Sequence, residues 1–252
     1  MAGTVLSTLE RGVRTITLNR PQALNAINDE LLDDFNAALK EAAACAETRV
    51  IVLTGAGRAF CAGEDLKAFE GHAASVAAAR RHVEAIQVAS RALLLGPHMV
   101  VGAIHGWAAG GGLEWALDCD LIVMADTTRC FFPEIRLGMN VTGGISTILP
   151  RLVGLQKARE LILLGETFDA HEADKLGIAW KVVPETEALS VALATAEKIA
   201  ALPRGAVRDL KQLLNRACQM DLEGAMKLET EFCVRQFMDP ETKSLTAAFG
   251  KK

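Results

Sequence analysis

The chain has 252 residues, half of them apolar, with 27 Lys and Arg against 31 Asp and Glu for a formal charge of -4. A high apolar fraction with low net charge excludes a disordered chain, and charge spread without a basic stripe leaves no footprint for nucleic acid or an anionic membrane. Tyrosine is absent, which excludes any mechanism that needs a phenol as acid, base or nucleophile. The length allows one large domain, or one domain with an appendage, able to bury roughly 70–75% of its unfolded surface. No apolar run approaches the ~20 residues of a membrane span. The six cysteines, Cys45, Cys61, Cys119, Cys130, Cys218 and Cys233, form no CxxC pair and sit at no metal-ligand spacing with a histidine. They read as reduced, mostly packed thiols of a cytoplasmic protein, with no metal expected.

In chain order, Val13–Leu18 alternates like a strand and breaks at Asn19-Arg20-Pro21. Asn28 is an N-cap ahead of Asp29 and Glu30, and Leu31, Phe35, Ala38, Leu39 and Ala42 mark one helical face. Val50–Leu53 is a buried strand that ends in a Thr54–Gly57 turn. A helix is expected over Val76–Leu95, closed by Gly96-Pro97, then a strand over Val100–Ile104. The Gly110-Gly111-Gly112 turn leads into a helical Leu113–Leu117, and Leu121–Met124 is the next strand. This grammar favours stacked β-β-α turns over a doubly wound dinucleotide fold, although pattern alone leaves both open. Ile178–Val183 is the last strand candidate, followed by helices over Leu189–Leu202, Gly205–Met220 and Leu222–Phe237 and a short one after Pro240. Their apolar faces, with no strand left to cover, fit either docking onto another subunit or a cap on the same core.

Three stretches carry candidate chemistry. They are Gly57–Lys67 after a buried strand, Gly110-Gly111-Gly112-Leu113-Glu114 at a strand-to-helix turn, and Phe132-Pro133-Glu134-Ile135. Glycine-rich junctions and helix starts expose backbone N–H groups, and two such turns facing each other would hold a developing oxyanion. Each signal alone also fits tight packing or a solvated glutamate. Glu114 and Glu134, however, are embedded in small and apolar neighbours, where a carboxylate needs a raised pKa or a partner. Two such groups invite paired general acid and base work.

Leu18-Asn19-Arg20-Pro21, Ala23-Leu24-Asn25-Ala26, Phe60-Cys61-Ala62-Gly63 with Asp65-Leu66, the Gly-Gly-Gly-x-Glu turn, Pro133-Glu134 and Leu149-Pro150-Arg151 occur in an order and spacing that closely resembles the crotonase superfamily, the enoyl-CoA hydratases and isomerases. The likeness covers nearly the whole chain. It implies an α/β fold, the crotonase (ClpP-like) spiral of stacked β-β-α turns, with a core over 1–195 that binds acyl-CoA. A C-terminal helical segment over 196–252 would serve trimerisation, giving a homotrimer or a dimer of trimers. The substrate implied is an acyl thioester of coenzyme A, with no permanently bound cofactor.

By the same resemblance, the backbone amides of Glu64 and Gly111 hold the thioester oxygen, so the Glu64 side chain need not take part. Glu114 activates water and Glu134 delivers a proton. Contacts to coenzyme A fall on Gln22, Ala23, Leu24, Ala62, Asp65, Leu66 and Lys67, with Phe249 and Lys251 reaching a neighbouring subunit's nucleotide. The activity implied is reversible syn addition of water to a trans-2-enoyl-CoA, as in fatty acid β-oxidation. The alternative is an isomerase that moves a 3-double bond to position 2 with one glutamate. A more remote alternative is a non-catalytic RNA- or protein-binding homologue. Two departures from the hydratase pattern stand out. Thr142 replaces a glycine near the water site, where a positive φ would not suit it, and Trp115 either narrows an acyl pocket or fills core.

Overall fold

The computed structural model describes residues 3–249, so Lys251 lies outside the described residues. β1 (Val5–Glu10) and β2 (Val13–Leu18) form an antiparallel hairpin whose turn residues, Arg11 and Gly12, both take positive φ. α1 (Asp29–Ala44) starts where the Asn28 side chain accepts the Leu31 N–H at 3.0 Å, and it buries the expected apolar face. β3 (Val50–Gly55) is buried at every position and runs parallel to β2. The short α2 (Phe69–His72) precedes α3 (Val76–Leu95), which Ser75 caps. β4 (Met99–Ile104), β5 (Trp107–Ala109) and α4 (Gly111–Leu117) form one β-β-α turn.

The next turn comprises β6 (Leu121–Ala125), β7 (Arg129–Phe131), a 3-10 turn over Glu134–Leu137, α5 (Ile145–Val153) and α6 (Leu155–Leu164). β8 (Phe168–Asp169), α7 (Ala170–Lys175) and β9 (Lys181–Val183) follow. The chain then continues through α8 (Ala188–Ala200), α9 (Arg204–Ala217), α10 (Leu222–Met238) and α11 (Pro240–Phe249).

Six strands make one sheet in the order β1-β2-β3-β4-β6-β9, parallel except for β1 against β2. β5, β7 and β8 make a second sheet, and the isolated bridges Ile27–Glu64 and Cys61–Ala108 continue the same spiral toward the N-terminal half. Each turn of chain thus places a strand in each sheet and then a helix, which is the β-β-α succession rather than a doubly wound sheet.

The two-residue period of β3 divides the core. Ile51 and Leu53 face α1 and α3, while Val50 and Val52 face the opposite side. That second side is covered by α8, through Ala188, Ala192, Ala196 and Ala200, a row of small side chains at four-residue spacing that lets helix and sheet approach closely. The first of the late helices therefore does have strands to cover, and position 195/196 falls within it. The last strand is shorter than its apolar run because the Ile178 and Ala179 N–H groups both donate to the Ala173 carbonyl, closing α7 instead of pairing in the sheet. α9 is fastened by Lys211, whose fully buried ammonium donates to the Leu93 carbonyl, to His98 O at 2.8 Å and to Asp120 Oδ2 at 2.7 Å.

Candidate active site

The site grows from two turns that follow strands. After β3, the buried Asn25 amide reaches the carbonyls of Ala56, Ala59 and Phe60 at 2.8–3.0 Å and folds the loop back. The segments 20–27 and 61–65 are then laced together. Ala62 N–H donates to Leu24 O, Ile27 N–H to Gly63 O, Asp65 N–H to Ile27 O, and Arg20 pairs with Asp65 at 3.0 Å. In this bridge Ile27 uses the groups of Gly63 and Asp65, so the amide of Glu64 points away from it.

After β5, Gly110 takes φ 50°, ψ −128°, a conformation open to glycine and little else. It starts α4, whose first N–H, that of Gly111, has no partner within the helix. Gly112 sits so close to Cys61 that an added Cβ would come within 2.3 Å of its carbonyl oxygen. This contact, with Gly63 against Ala109, presses the two turns together. Among the described residues, neither Glu64 N–H nor Gly111 N–H donates to a protein acceptor. Both residues line one cavity of about 350 Å³, together with Ile27, Glu114, Glu134, Met139, Asn140 and Thr142.

Glu114, in the first turn of α4, is 1% exposed. Its Oε1 accepts the Thr142 N–H at 2.7 Å, and its Oε2 accepts the Thr142 hydroxyl. Burial raises its pKa, and the two Thr142 donors oppose the rise. Glu134, held behind Pro133 at the start of its 3-10 turn, has a buried Oε2 with no partner. Burial pushes its pKa to about 7, against its own backbone N–H and with a further push from Glu114's charge. The two carboxyls share a cavity but not an environment. One is supplied with donors as a carboxylate, and the other is disposed to keep a proton near neutrality.

Gln22, Ala23 and Leu24 lie on the 3-10 turn and left-handed residue beside the segment of Ala62 and Asp65, so the structure brings these expected positions together, outside the cavity lining. Leu66 and Lys67 follow on an exposed stretch, and Phe249 is exposed at the end of α11, outside the cavity lining. Thr142 does not take positive φ. Gly143 and Gly144 carry the left-handed turn, so threonine fits without strain and adds a hydroxyl to Glu114. Trp115 fills core, fully buried with its ring 4.6 Å from Phe35, and does not line the cavity.

Sequence reasoning missed a second cluster on the same wall. His72 Nδ1 and His82 Nε2 each lie 2.9 Å from a Glu64 carboxylate oxygen. His72 Nε2 and His82 Nδ1 lie 3.0 and 3.3 Å from Asp29 Oδ1. The Glu64 side chain is therefore engaged, whereas the family resemblance implies no required part for it. Asp29, His72 and His82 present ligand atoms within 4.8 Å of one another, a grouping of metal-binding type. The imidazoles, however, stack at 3.6 Å and 16°. An ion between them would lie out of both ring planes, away from the lone pairs, so this arrangement suits hydrogen bonds. Asp118, one helical turn after Glu114, was also missed; its buried carboxyl is pushed well above the usual range by burial.

Comparison with known proteins agrees with this layout. The family model described as enoyl-CoA hydratase/isomerase matches residues 8–252. A Mycobacterium tuberculosis protein named a probable enoyl-CoA hydratase is 34% identical over 255 residues, covering 99% of this chain and 95% of its own. The short-chain-enoyl-CoA hydratase of Clostridium acetobutylicum is 33% identical, covering 96% and 93%. Among solved structures, an enoyl-CoA hydratase from Mycobacterium smegmatis superposes with a TM-score of 0.93 at 31% identity, covering 99% and 97%. The spiral of β-β-α turns is the crotonase fold of these hydratases, and the chain belongs to the enoyl-CoA hydratase/isomerase family.

Proposed function

We propose that the protein is an enoyl-CoA hydratase that adds water reversibly and syn across a trans-2-enoyl-CoA. The observation that carries this reading is the unequal pair of carboxyls beside two amides without acceptors. Glu114, ionised and steadied by Thr142, takes a proton from water, whose oxygen attacks C3. The electron pair of the double bond moves onto the thioester oxygen, which the N–H groups of Glu64 and Gly111 stabilise as an enolate. Glu134, protonated near neutrality, delivers its proton to C2. Both carboxyls then reset by proton exchange with solvent.

The coenzyme A portion of the substrate would lie along Gln22, Ala23, Leu24, Ala62, Asp65, Leu66 and Lys67, with Phe249 contributed to a neighbouring subunit. Exposed apolar side chains on the last helices, among them Leu214, Met226, Val234 and Phe237, support assembly of 196–252 into a homotrimer or a dimer of trimers. No described helix is long and apolar enough to cross a membrane, which accords with a cytoplasmic enzyme. A 3-to-2 isomerase reading draws on one observation, the Glu134 carboxyl with its unpartnered Oε2 and a pKa near 7, which would shuttle a proton alone.

The test offers a 2-enoyl-CoA and a 3-enoyl-CoA side by side and follows water addition and bond migration. Glu114→Gln and Glu134→Gln should each lower hydration by roughly 10²–10⁴-fold. Full hydration by Glu114→Gln overturns the two-glutamate mechanism. Bond migration without hydration selects the isomerase.

A further inference from the structure

The residue whose amide faces the thioester oxygen carries a side-chain carboxylate, and a negative charge there opposes the charge that the amide must stabilise. The structure supplies the compensation. Each nitrogen of the stacked His72 and His82 rings lies within 3.3 Å of a carboxylate oxygen of Glu64 or Asp29. A carboxylate only accepts, and a neutral imidazole has a single N–H. All four contacts are hydrogen bonds only if both rings are protonated, and the two carboxylates that bracket the stack offset the repulsion between them.

We propose that His72 and His82 are positioning residues that form a cationic clamp on Glu64, cancelling its side-chain charge so that its backbone N–H can polarise the thioester oxygen. Burial by itself would lower the His82 pKa, but the hydrogen bond and charge of Glu64, joined by those of Asp29, leave it raised. Both rings are buried, while the acceptors come from different elements, Asp29 from the start of α1 and Glu64 from the loop before α2. Glu114 from α4 and Glu134 from the 3-10 turn share the cavity with the rings. The charged neighbours on α2 and α3, Glu70, Arg80, Arg81 and Glu84, are exposed, and Arg80 pairs with Glu84.

The inference rests on the proposed hydratase reading in one respect, that the Glu64 N–H meets the substrate carbonyl. The test reads that contact directly, as the infrared C=O stretch of a bound, unreactive saturated acyl-CoA carrying a 13C label at the thioester carbon. The wild type should shift the band to lower frequency relative to free ligand. His82→Gln should lose most of the shift and lower kcat for 2-enoyl-CoA by about tenfold, with less effect on KM; losing a whole oxyanion donor costs roughly 10²–10³-fold. Adding Glu64→Gln to His82→Gln should restore the shift, because the charge that needed cancelling has gone. A shift that survives His82→Gln, or that the double variant fails to restore, overturns the clamp. An unshifted band in the wild type instead overturns the donor assignment, and with it the inference. If His82→Gln does not fold, His72→Gln is read by the same criteria.

Discussion

Thr142 donates to both oxygens of Glu114, its N–H to Oε1 at 2.7 Å and its hydroxyl to Oε2. The first bond needs only a backbone, whereas the second exists because this position is threonine. Both favour the ionised form, against the burial that opposes it.

Thr142→Val keeps shape and N–H but removes the hydroxyl. The lost donor raises the pKa of Glu114 further, so the carboxylate that serves as base in the proposed mechanism is depleted first at low pH. We expect kcat to fall about tenfold, in line with loss of one hydrogen bond to a charged group. The acid limb of the pH profile should move to higher pH, which a kcat/KM titration would show. An unmoved limb would separate Thr142 from the base.

On the proposed mechanism Glu134 sets the opposite limb. Its pKa of about 7 means that the proton needed at C2 is lost as pH rises through neutrality. Hydration should therefore decline above pH 7, and Glu134→Gln should abolish that decline along with most of the activity. Stability carries the same sign. A carboxyl raised from 4.5 to about 7 stabilises the fold below its unfolded pKa, and that contribution is lost as pH rises to 7. The difference amounts to about 3 kcal/mol. Thermal unfolding should find Glu134→Gln more stable relative to wild type at pH 8 than at pH 5.

Gly110→Ala tests the turn that brings the carboxyl in. The added Cβ would stand 2.6 Å from Glu134 Oε1, on a backbone at φ 50° and ψ −128°. The strain should cost roughly 1–3 kcal/mol in a denaturant titration. Activity should fall by more than that loss of folded protein explains, because Glu134 is displaced.

Trp115 should govern stability and leave substrate size alone. Trp115→Ala opens a core cavity and should cost about 3–5 kcal/mol. Trp115→Phe should cost less, since the indole N–H it removes is buried without a partner. A series of enoyl-CoA chain lengths should give the same order of kcat/KM for Trp115→Phe as for wild type. A changed order would place the ring against the acyl chain.

Long, regular elements were legible in the sequence. β2 and α3 have the bounds that periodicity predicts, because alternation and capping agree there. β5, β7 and β8 were not legible, since two or three residues show no period and are strands only because the spiral aligns them. β1 was missed for another reason, as an edge strand largely exposed along its length. Glu114 and Glu134 stood out by their apolar neighbours. The histidine cluster did not, because Asp29 lies 43 residues from His72 and they meet only through the bridge of Ile27 with Glu64.

Lys211 gives the final helices a structural obligation. Its ammonium closes a pocket of acceptors that Leu93 of α3, His98 just before β4 and Asp120 provide, while Asp120 Oδ2 also receives the Val100 N–H at 2.7 Å. Removing α9 would strand a buried carboxylate and two carbonyls without their cation, at the end of the helix that bears Glu114. The C-terminal segment is thus a keystone as well as a surface: a shortened or fused version must carry α9 intact for the turn that bears Glu114 to keep its footing.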